Sequence, residues 1–517
     1  MLKVNKLIIV LLVIFLSSCT SQNNQNTQDN QTGSTSNTQT GITNTSEKTG
    51  DYNGVDKTGL GLKVANDFTI SIFADNLSGA RDLIGPDKLG NYLLSRTSEG
   101  IITMLVIKNG EVKEKNDILK NLNNPHGLAL GLDGTTLYYA ETDKLSKINL
   151  YSDGSPEKII DLPKGGRHFT RSLLFGPDGK LYISIGSTCD VCNEKDERIA
   201  SIYSINTDGS NFKKVASGLR NSVFMSTNPI TGDIWATEMG RDNLGDNIPP
   251  DEINIIKSGN DYGWPTCYGN NVQDSQFDKN VYIVNPCTNK TPAHIELQAH
   301  SAPLGLSFIP EEGWPENYWN DLIISYHGSW NRSVKTGYKL VHITLDDKGN
   351  ATNTNDFITG WLDENGNASG RPVDILSSPG GVSYITDDKK GVIYKLAYNN
   401  PEFILIDKQS FTDDENKIKA DIEVNKNNEI LINGEASGTW YFEAVFGIEL
   451  VDENNNMLYQ SYTTADSDWM TTDYVPFHSL FKYEDPKTDY GYIIFKKDNP
   501  SGLKENDLEK KVKIKIR

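Results

Sequence analysis

The fold is decided by the stretch Ser172-Leu-Leu-Phe-Gly-Pro-Asp-Gly-Lys-Leu-Tyr-Ile-Ser-Ile-Gly186. Apolar residues lead into a turn of Gly, Pro and Asp, and alternating apolar residues follow it. This pattern is typical of two antiparallel strands joined by a tight turn. Directly before it lies Arg167-His168-Phe-Thr-Arg171. Because loops at strand ends are where a rigid β scaffold presents catalytic groups, His168 and Arg171 are candidate functional residues.

The same strand–turn–strand pattern occurs six times along the chain. The copies span 83–93, 127–139, 172–183, 224–235, 305–310 with 321–325, and 374–385. The region 240–300 lengthens one of the intervals, and little of the sequence between 65 and 398 looks helical. Hairpins that recur in this way are typical of propeller blades, each a four-stranded sheet around a central channel. The sequence therefore predicts a six-bladed β-propeller over 59–400.

Residues 401–517 differ from the repeats and predict a second, smaller all-β domain. They carry no blade pattern, alternate strongly, and place Trp469 and Phe477 as expected core anchors. Several short strands in this length favour a β-sandwich. The run Gly434-Glu-Ala-Ser-Gly-Thr-Trp-Tyr-Phe-Glu443, with Asn499-Pro-Ser-Gly502, resembles the immunoglobulin-like domain found beside spore-germination modules. That resemblance implies a spacer or adhesion role. The predicted fold class is all-β, a propeller followed by an immunoglobulin-like β-sandwich.

The N-terminus reads as a targeting segment. Lys3 and Lys6 precede a short apolar run over 7–15, and Leu16-Ser-Ser-Cys19 is typical of a bacterial lipobox. Residues 1–19 are therefore predicted to be a lipoprotein signal peptide, with a lipid on Cys19. Residues 20–58 are polar and predict a disordered tether. The protein is expected outside the cytoplasm, anchored to the membrane. An ordinary signal peptide with an incidental Cys19 is the alternative.

The remaining four cysteines are Cys189, Cys192, Cys267 and Cys287. An even number in an exported chain suggests disulfides, and three pairings are possible. Cys189–Cys192 with Cys267–Cys287 is favoured because each pair is close in sequence, and a four-cysteine zinc site is the alternative. The formal net charge of −19 argues against a nucleic-acid partner.

Several polar segments of the repeat region form an ordered set. They are His168 to Arg171, Gly218-Leu-Arg-Asn221, Glu238-Met-Gly240-Arg241, Asp251-Glu-Ile-Asn254, His327-Gly-Ser-Trp-Asn-Arg332, Lys339 and Gly370-Arg371. Together they resemble the soluble glucose and sorbosone dehydrogenases, six-bladed propellers that use pyrroloquinoline quinone (PQQ). The resemblance covers about 65–398, and the Cys189/Cys192 pair and the 327–332 segment look closer to the sorbosone branch.

The resemblance implies a role for each matching residue. His168 would be the base that takes the hydroxyl proton of a sugar or aldose, since an imidazole titrates near neutral pH. PQQ would accept hydride, and Ca²⁺ would be bound by the carbonyls of Gly240 and Arg241, with Asp251 nearby. The residues expected to contact the cofactor are Arg220, Asn221, Arg332, Lys339 and Arg371. The expected function is a PQQ-dependent sugar dehydrogenase that passes electrons to an extracytoplasmic acceptor.

One departure from the glucose branch concerns the residue that orients the base. In that branch an aspartate closes the strand after the catalytic histidine, whereas Ser187 occupies the corresponding position here. A serine accepts a hydrogen bond from an imidazole but cannot stabilise an imidazolium by charge, so Glu238 is considered as another orienting group. A second hypothesis is a non-catalytic lipoprotein whose propeller binds carbohydrate or protein, with His168 a loop residue.

Overall fold

A computed structural model describes most of the chain after the first fifty residues. The described ranges are 52–108, 110–311, 313–378, 381–399, 405–425, 428–466, 469–483, 486–501 and 503–517. The predicted signal peptide, Cys19 and most of the tether lie outside these ranges. Within them, no helix is long and apolar enough to cross a membrane.

The repeat region forms six sheets, one for each copy of the hairpin pattern, and their strands are antiparallel except for the short edge strand Val55–Asp56. Blade 1 contains Ala80–Ile84, Tyr92–Arg96, Ile101–Lys108 and Glu111–Leu119. Blade 2 contains Leu128–Leu130, Thr136–Ala140, Lys144–Asn149 and Glu157–Asp161. Blade 3 contains Arg171–Phe175, Leu181–Ile185, Ser201–Ile205 and Lys213–Ser217. Blade 4 contains Met225–Thr227, Ile234–Glu238, Asp251–Ile256 and Ile295–Leu297. Blade 5 contains Pro303–Phe308, Leu322–Tyr326, Lys339–Leu345, Ala351–Thr359 and Lys63–Val64. Blade 6 contains Pro372–Ser378, Val382–Asp387, Val392–Tyr398, Phe68–Ala74 and Val55–Asp56. The six-bladed propeller is therefore confirmed.

The N-terminal strands close the ring. Phe68–Ala74 pairs with the last strand of blade 6, and Val55–Asp56 extends that sheet in parallel. The predicted tether is therefore wrong at its C-terminal end. The Asp56 carboxylate accepts hydrogen bonds from the backbone N–H groups of Thr58 and Leu62, which orders this polar segment without a large apolar surface.

A hydrogen bond joins each blade to the next along its inner strands. The pairs are Leu128 N–H to Asp82, Gly127 N–H to the Arg171 carbonyl, Ser172 hydroxyl to the Val223 carbonyl, Thr237 hydroxyl to the Leu304 carbonyl, Ser325 hydroxyl to the Val373 carbonyl, and Leu83 N–H to Asp374. Gly127 allows a close approach, since a Cβ there would lie 2.3 Å from the Arg171 carbonyl oxygen. These contacts hold the loops at the channel mouth in a fixed arrangement.

Blade 4 carries the long insertion seen in the sequence. Cys267–Tyr268 and Val272–Gln273 form a small ribbon between its last two strands. The structure pairs Cys267 with Cys287 and Cys189 with Cys192, as favoured from the sequence. The four-cysteine zinc site is therefore wrong, because sulfurs in disulfides are not available as thiolate ligands. The described helical elements are single 3₁₀ turns at Thr97–Glu99, Glu316–Tyr318, Gly438–Trp440 and Lys504–Asn506.

The C-terminal segment forms one curled antiparallel sheet of eight strands. In chain order they are Leu405–Asp413, Ile418–Asn425, Glu429–Ser437, Val445–Asp452, Met457–Ala465, Tyr474–Lys482, Tyr490–Lys496 and Glu509–Lys515. The first and last strands lie close to each other. The backbone N–H of Lys515 on the last strand donates to the side-chain carboxylate of Asp407 on the first. Trp440 and Phe477 are buried in the core, and Trp469 packs at its edge. The domain is thus a nearly closed β barrel or sandwich.

Candidate active site

Loops from blades 3 to 6 surround a cavity of about 270 Å³. Its lining includes the predicted residues His168, Arg220, Gly240, Asp251 and Arg371. A second cavity of about 510 Å³ adjoins it and also borders on His168. It is bounded by Asn221 and by loops of the first two blades. Ligand sites in proteins commonly have this size, so the two spaces together form the candidate site.

His168 borders on both cavities, and its hydrogen bonds show which ring nitrogen carries the proton. Its Nδ1 lies 2.8 Å from the hydroxyl of Ser187, whose only hydrogen is donated to the Cys189 carbonyl at 2.7 Å. The hydroxyl must therefore accept from His168 Nδ1–H, which leaves Nε2 unprotonated. Burial, and then the charges of Arg220 and Arg167, lower the pKa of His168 to about 3. The imidazole is thus neutral at physiological pH, as a proton acceptor requires.

Glu238 does not orient the base, contrary to the suggestion from the sequence. Its carboxylate accepts hydrogen bonds from the backbone N–H of Asn221 at 2.8 Å and the hydroxyl of Ser222 at 2.5 Å. Burial raises the pKa of Glu238 to about 8. Glu238 therefore fixes the Arg220–Asn221 turn from behind, and Ser187 takes the orienting position.

Arg220 is buried and held by hydrogen bonds to four acceptors. Nε donates to the Asp190 carbonyl at 2.9 Å, and Nη2 donates to the Asp190 carboxylate at 2.7 Å and that of Asp242 at 3.4 Å. Nη1 donates to the Met239 carbonyl at 3.3 Å. Since a guanidinium has five N–H groups, one on Nη1 is left for a ligand. The carboxylate of Asp242 also pairs with Arg167 at 2.5 Å.

Arg371 enters the cavity from the blade 6 side. Its guanidinium donates to the carbonyls of His327 and Gly328 at 2.9 and 2.8 Å, and it lies over the ring of Tyr338. Burial lowers the pKa of Arg371. His327 Nε2–H donates to the Asp388 carboxylate at 3.0 Å, and Arg81 also pairs with that carboxylate. Guanidinium groups thus face the site from several blades.

The Gly240–Arg241 turn follows the second strand of blade 4. The backbone N–H of Gly240 donates to buried Asp251 at 2.9 Å, and the Arg241 guanidinium pairs with Asp274 at 2.8 Å. Burial raises the pKa of Asp251 to about 7. Within the described residues, no hydrogen bond reaches the carbonyl oxygens of Gly240 and Arg241. These two adjacent carbonyl oxygens therefore have lone pairs free to bind a metal ion.

Besides Glu238 and Arg241, the predicted residues Arg332, Lys339 and Arg171 do not line either cavity. Arg332 donates to the Asp246 carbonyl at 2.7 Å and ties two loops together. Lys339 pairs with Asp356 at 2.5 Å across neighbouring strands of blade 5. Arg171 is buried and donates to the carbonyls of Pro163, His168 and Thr170, so it supports the loop that carries the base. Arg332 and Lys339 line neither cavity, and the expectation that they contact a cofactor stays a prediction.

Some residues of the site were missed in the sequence. Asp190 directly follows Cys189 in the sequence, and Asp242 directly follows Arg241. Their position beside predicted residues was therefore a sequence signal that could have identified them. Arg81 and Asp388 come from opposite ends of the repeat region, and no sequence pattern connects them.

Comparison with known proteins agrees with this architecture. The TrAA12-like family matches residues 62–399. An uncharacterized protein of Borreliella burgdorferi is 33% identical over 360 residues, covering 65% of this chain and 91% of that protein. A pyrroloquinoline quinone-dependent sugar dehydrogenase of Hypocrea jecorina is 22% identical over 321 residues, covering 51% of this chain and 73% of that enzyme.

A calcium structure of the Trichoderma reesei carbohydrate-active enzyme family AA12 has the same fold. It superposes with a TM-score of 0.57 at 21% identity, covering 65% of this chain and 97% of that chain. The homologues include PQQ-dependent sugar dehydrogenases, which are oxidoreductases. This chain therefore belongs to the TrAA12-like family.

Proposed function

We propose that the protein is an extracytoplasmic PQQ-dependent dehydrogenase of sugars or aldoses. The observation that carries the proposal is a neutral His168 whose Nε2 is free in a cavity lined by guanidinium groups. An imidazole in this state accepts a hydroxyl proton, and guanidinium groups suit a flat polycarboxylate.

The residues of the site fit PQQ and Ca²⁺. Arg167, Arg220 and Arg371 line the cavity and offer charge-assisted hydrogen bonds to carboxylates. The Oδ1 atom of Asn221 is buried and has no hydrogen-bond partner within the described residues. The unbonded carbonyls of Gly240 and Arg241 would serve as ligands for Ca²⁺, which prefers oxygen donors. When bound, the quinone would supply the hydride acceptor and the ion would polarise it.

The chain itself contributes orientation and a proton acceptor. His168 Nε2 would take the proton of the substrate hydroxyl while Nδ1–H stays bonded to Ser187. Ser187 carries no charge, so the imidazolium gains no ion pair from it. The proton would then pass from the imidazolium to solvent at the cavity mouth.

The location and electron acceptor are also proposals. The lipobox at Cys19 supports anchoring to the membrane outside the cytoplasm, and the two disulfides agree with an oxidising compartment. The electrons would leave to an extracytoplasmic acceptor of unspecified identity.

Reconstitution tests the proposal. Purified apoprotein titrated with PQQ and Ca²⁺ should bind the quinone and then reduce a dye when aldoses are added. His168→Ala should bind the quinone yet lose turnover, whereas the control His478→Ala, at an exposed position of the C-terminal domain, should retain it. If wild-type protein binds no PQQ at micromolar concentrations, the enzyme proposal fails and the non-catalytic binding protein is favoured.

A further inference from the structure

We propose that the four-residue disulfide ring Cys189-Asp190-Val191-Cys192 positions both the base and the anion-binding guanidinium. Asp190 would act as a positioning residue for Arg220, and the Cys189 carbonyl would fix the proton on His168. The consequence for turnover rests on the proposed function. The positioning itself concerns only residues of this chain and is measurable without the cofactor.

The first contact of the ring is with Arg220. Both the carbonyl and the carboxylate of Asp190 accept from this guanidinium, at 2.9 and 2.7 Å. The same carboxylate oxygen accepts from the backbone N–H of Asp242 at 2.9 Å, and the indole of Trp264 donates to the Asp190 carbonyl at 3.2 Å. Paired acceptors of this kind fix a guanidinium in one plane. The direction of the remaining Nη1–H of Arg220 therefore depends on Asp190.

The second contact of the ring is with the base, through one intermediate. The Cys189 carbonyl accepts the hydroxyl hydrogen of Ser187 at 2.7 Å, so the hydroxyl presents a lone pair to His168 Nδ1. Were this carbonyl to move, the Ser187 hydroxyl could rotate and donate to Nδ1 instead. The proton would then reside on Nε2, and the nitrogen that faces the cavity would no longer be a base.

The covalent closure makes these two contacts interdependent. Cys189 and Cys192 are joined over a separation of three residues, which restricts the backbone that carries both acceptors. The ring is anchored at one end, since Thr188 N–H donates to Glu194 at 2.6 Å. Both of its cysteines are partly exposed, whereas Cys267 and Cys287 are buried. A mild reductant should therefore open the 189–192 ring first.

The base contact is tested by nuclear magnetic resonance of apoprotein with nitrogen-15-labelled histidine, using a His168→Gln spectrum for assignment. Wild type should show His168 in the Nδ1–H form. The Cys189→Ser/Cys192→Ser double variant should show a substantial Nε2–H population. Mild reduction of folded wild type should give the same change, which covers the case in which the double variant does not fold. An unchanged Nδ1–H signal after the ring is opened would overturn this part of the proposal.

The guanidinium contact is tested by kcat of the reconstituted enzyme. Asp190→Ala should lower kcat at least tenfold, whereas Asp190→Asn should stay within about threefold, since an amide oxygen accepts the same hydrogen bonds. The matched control Asp196→Ala removes a surface carboxylate of the same blade that pairs with Arg198, and it should leave kcat unchanged. Equal losses in Asp190→Ala and Asp190→Asn would indicate a role of charge and contradict positioning.

These experiments separate the inference from the proposed function. If wild type binds no PQQ, the function fails, but the spectra of the apoprotein still decide whether the ring sets the tautomer. If wild type turns over sugar and ring opening changes neither the spectra nor kcat, the function stands and the ring is not a positioning element.

Discussion

Ser187→Ala is the most direct perturbation of the proposed base. The substitution removes the acceptor of His168 Nδ1–H, which lies 2.8 Å away, while leaving the size of the site almost unchanged. Ser187 is fully buried, so no water reaches the vacated position easily. An unsatisfied buried donor costs about 1–3 kcal/mol. The Nδ1–H form loses that stabilisation, and the form with Nε2 protonated gains population.

The expected loss follows from this free energy. Because about 1.4 kcal/mol corresponds to a factor of ten in rate, the reconstituted variant should reduce its cofactor about 5- to 150-fold more slowly with an aldose. Single-turnover absorbance measurements report this step without the electron acceptor. The control Ser201→Ala removes another buried hydroxyl of blade 3, bonded to the Ile199 carbonyl, and should leave the rate unchanged. A loss of less than twofold in Ser187→Ala would refute the assigned tautomer.

Three further predictions concern stability, protonation and cofactor binding. Phe68→Ala should destabilise the propeller by about 3–5 kcal/mol in urea unfolding, because this buried ring on the closing strand packs against four other aromatic rings. Phe442→Ala, at a partly exposed position, should cost far less, and equal costs would contradict the closure. The His168 imidazole of apoprotein should remain neutral from pH 7.5 down to about pH 5, since its lowered pKa places protonation at about 3; a midpoint near 6.5 in the magnetic resonance titration would disprove this. Arg371→Met should weaken PQQ binding at least tenfold in a fluorescence titration. The control Arg332→Met, which alters a residue outside the cavity, should change the affinity less than threefold. A larger loss of affinity in Arg332→Met than in Arg371→Met would show that PQQ does not bind in this cavity.

The closing strand illustrates why part of the fold escaped prediction. The hairpin around Pro177 is a local pattern, so period-two alternation and turn residues identify it directly. The pairing of Phe68–Ala74 with a strand more than three hundred residues later has no local signature. Polar residues such as Asp56 and Thr58 looked like a tether because their ordering comes from side-chain hydrogen bonds instead of apolar burial.

The sequence by itself determined the number of blades and the favoured cysteine pairing, and its resemblance to the dehydrogenases implied that His168 is the candidate base. The hairpins and the cysteine pairs depend on residues that are close together along the chain. Only the tertiary structure decided which arginine side chains line the cavity. It also decided that Ser187 orients His168 and that Asp190 holds Arg220. Those choices depend on where loops from different blades meet and on which acceptors already engage Arg332 and Lys339. The physical reason is that a turn or strand is specified by its neighbours in sequence, whereas a site at a propeller mouth is specified by packing between blades.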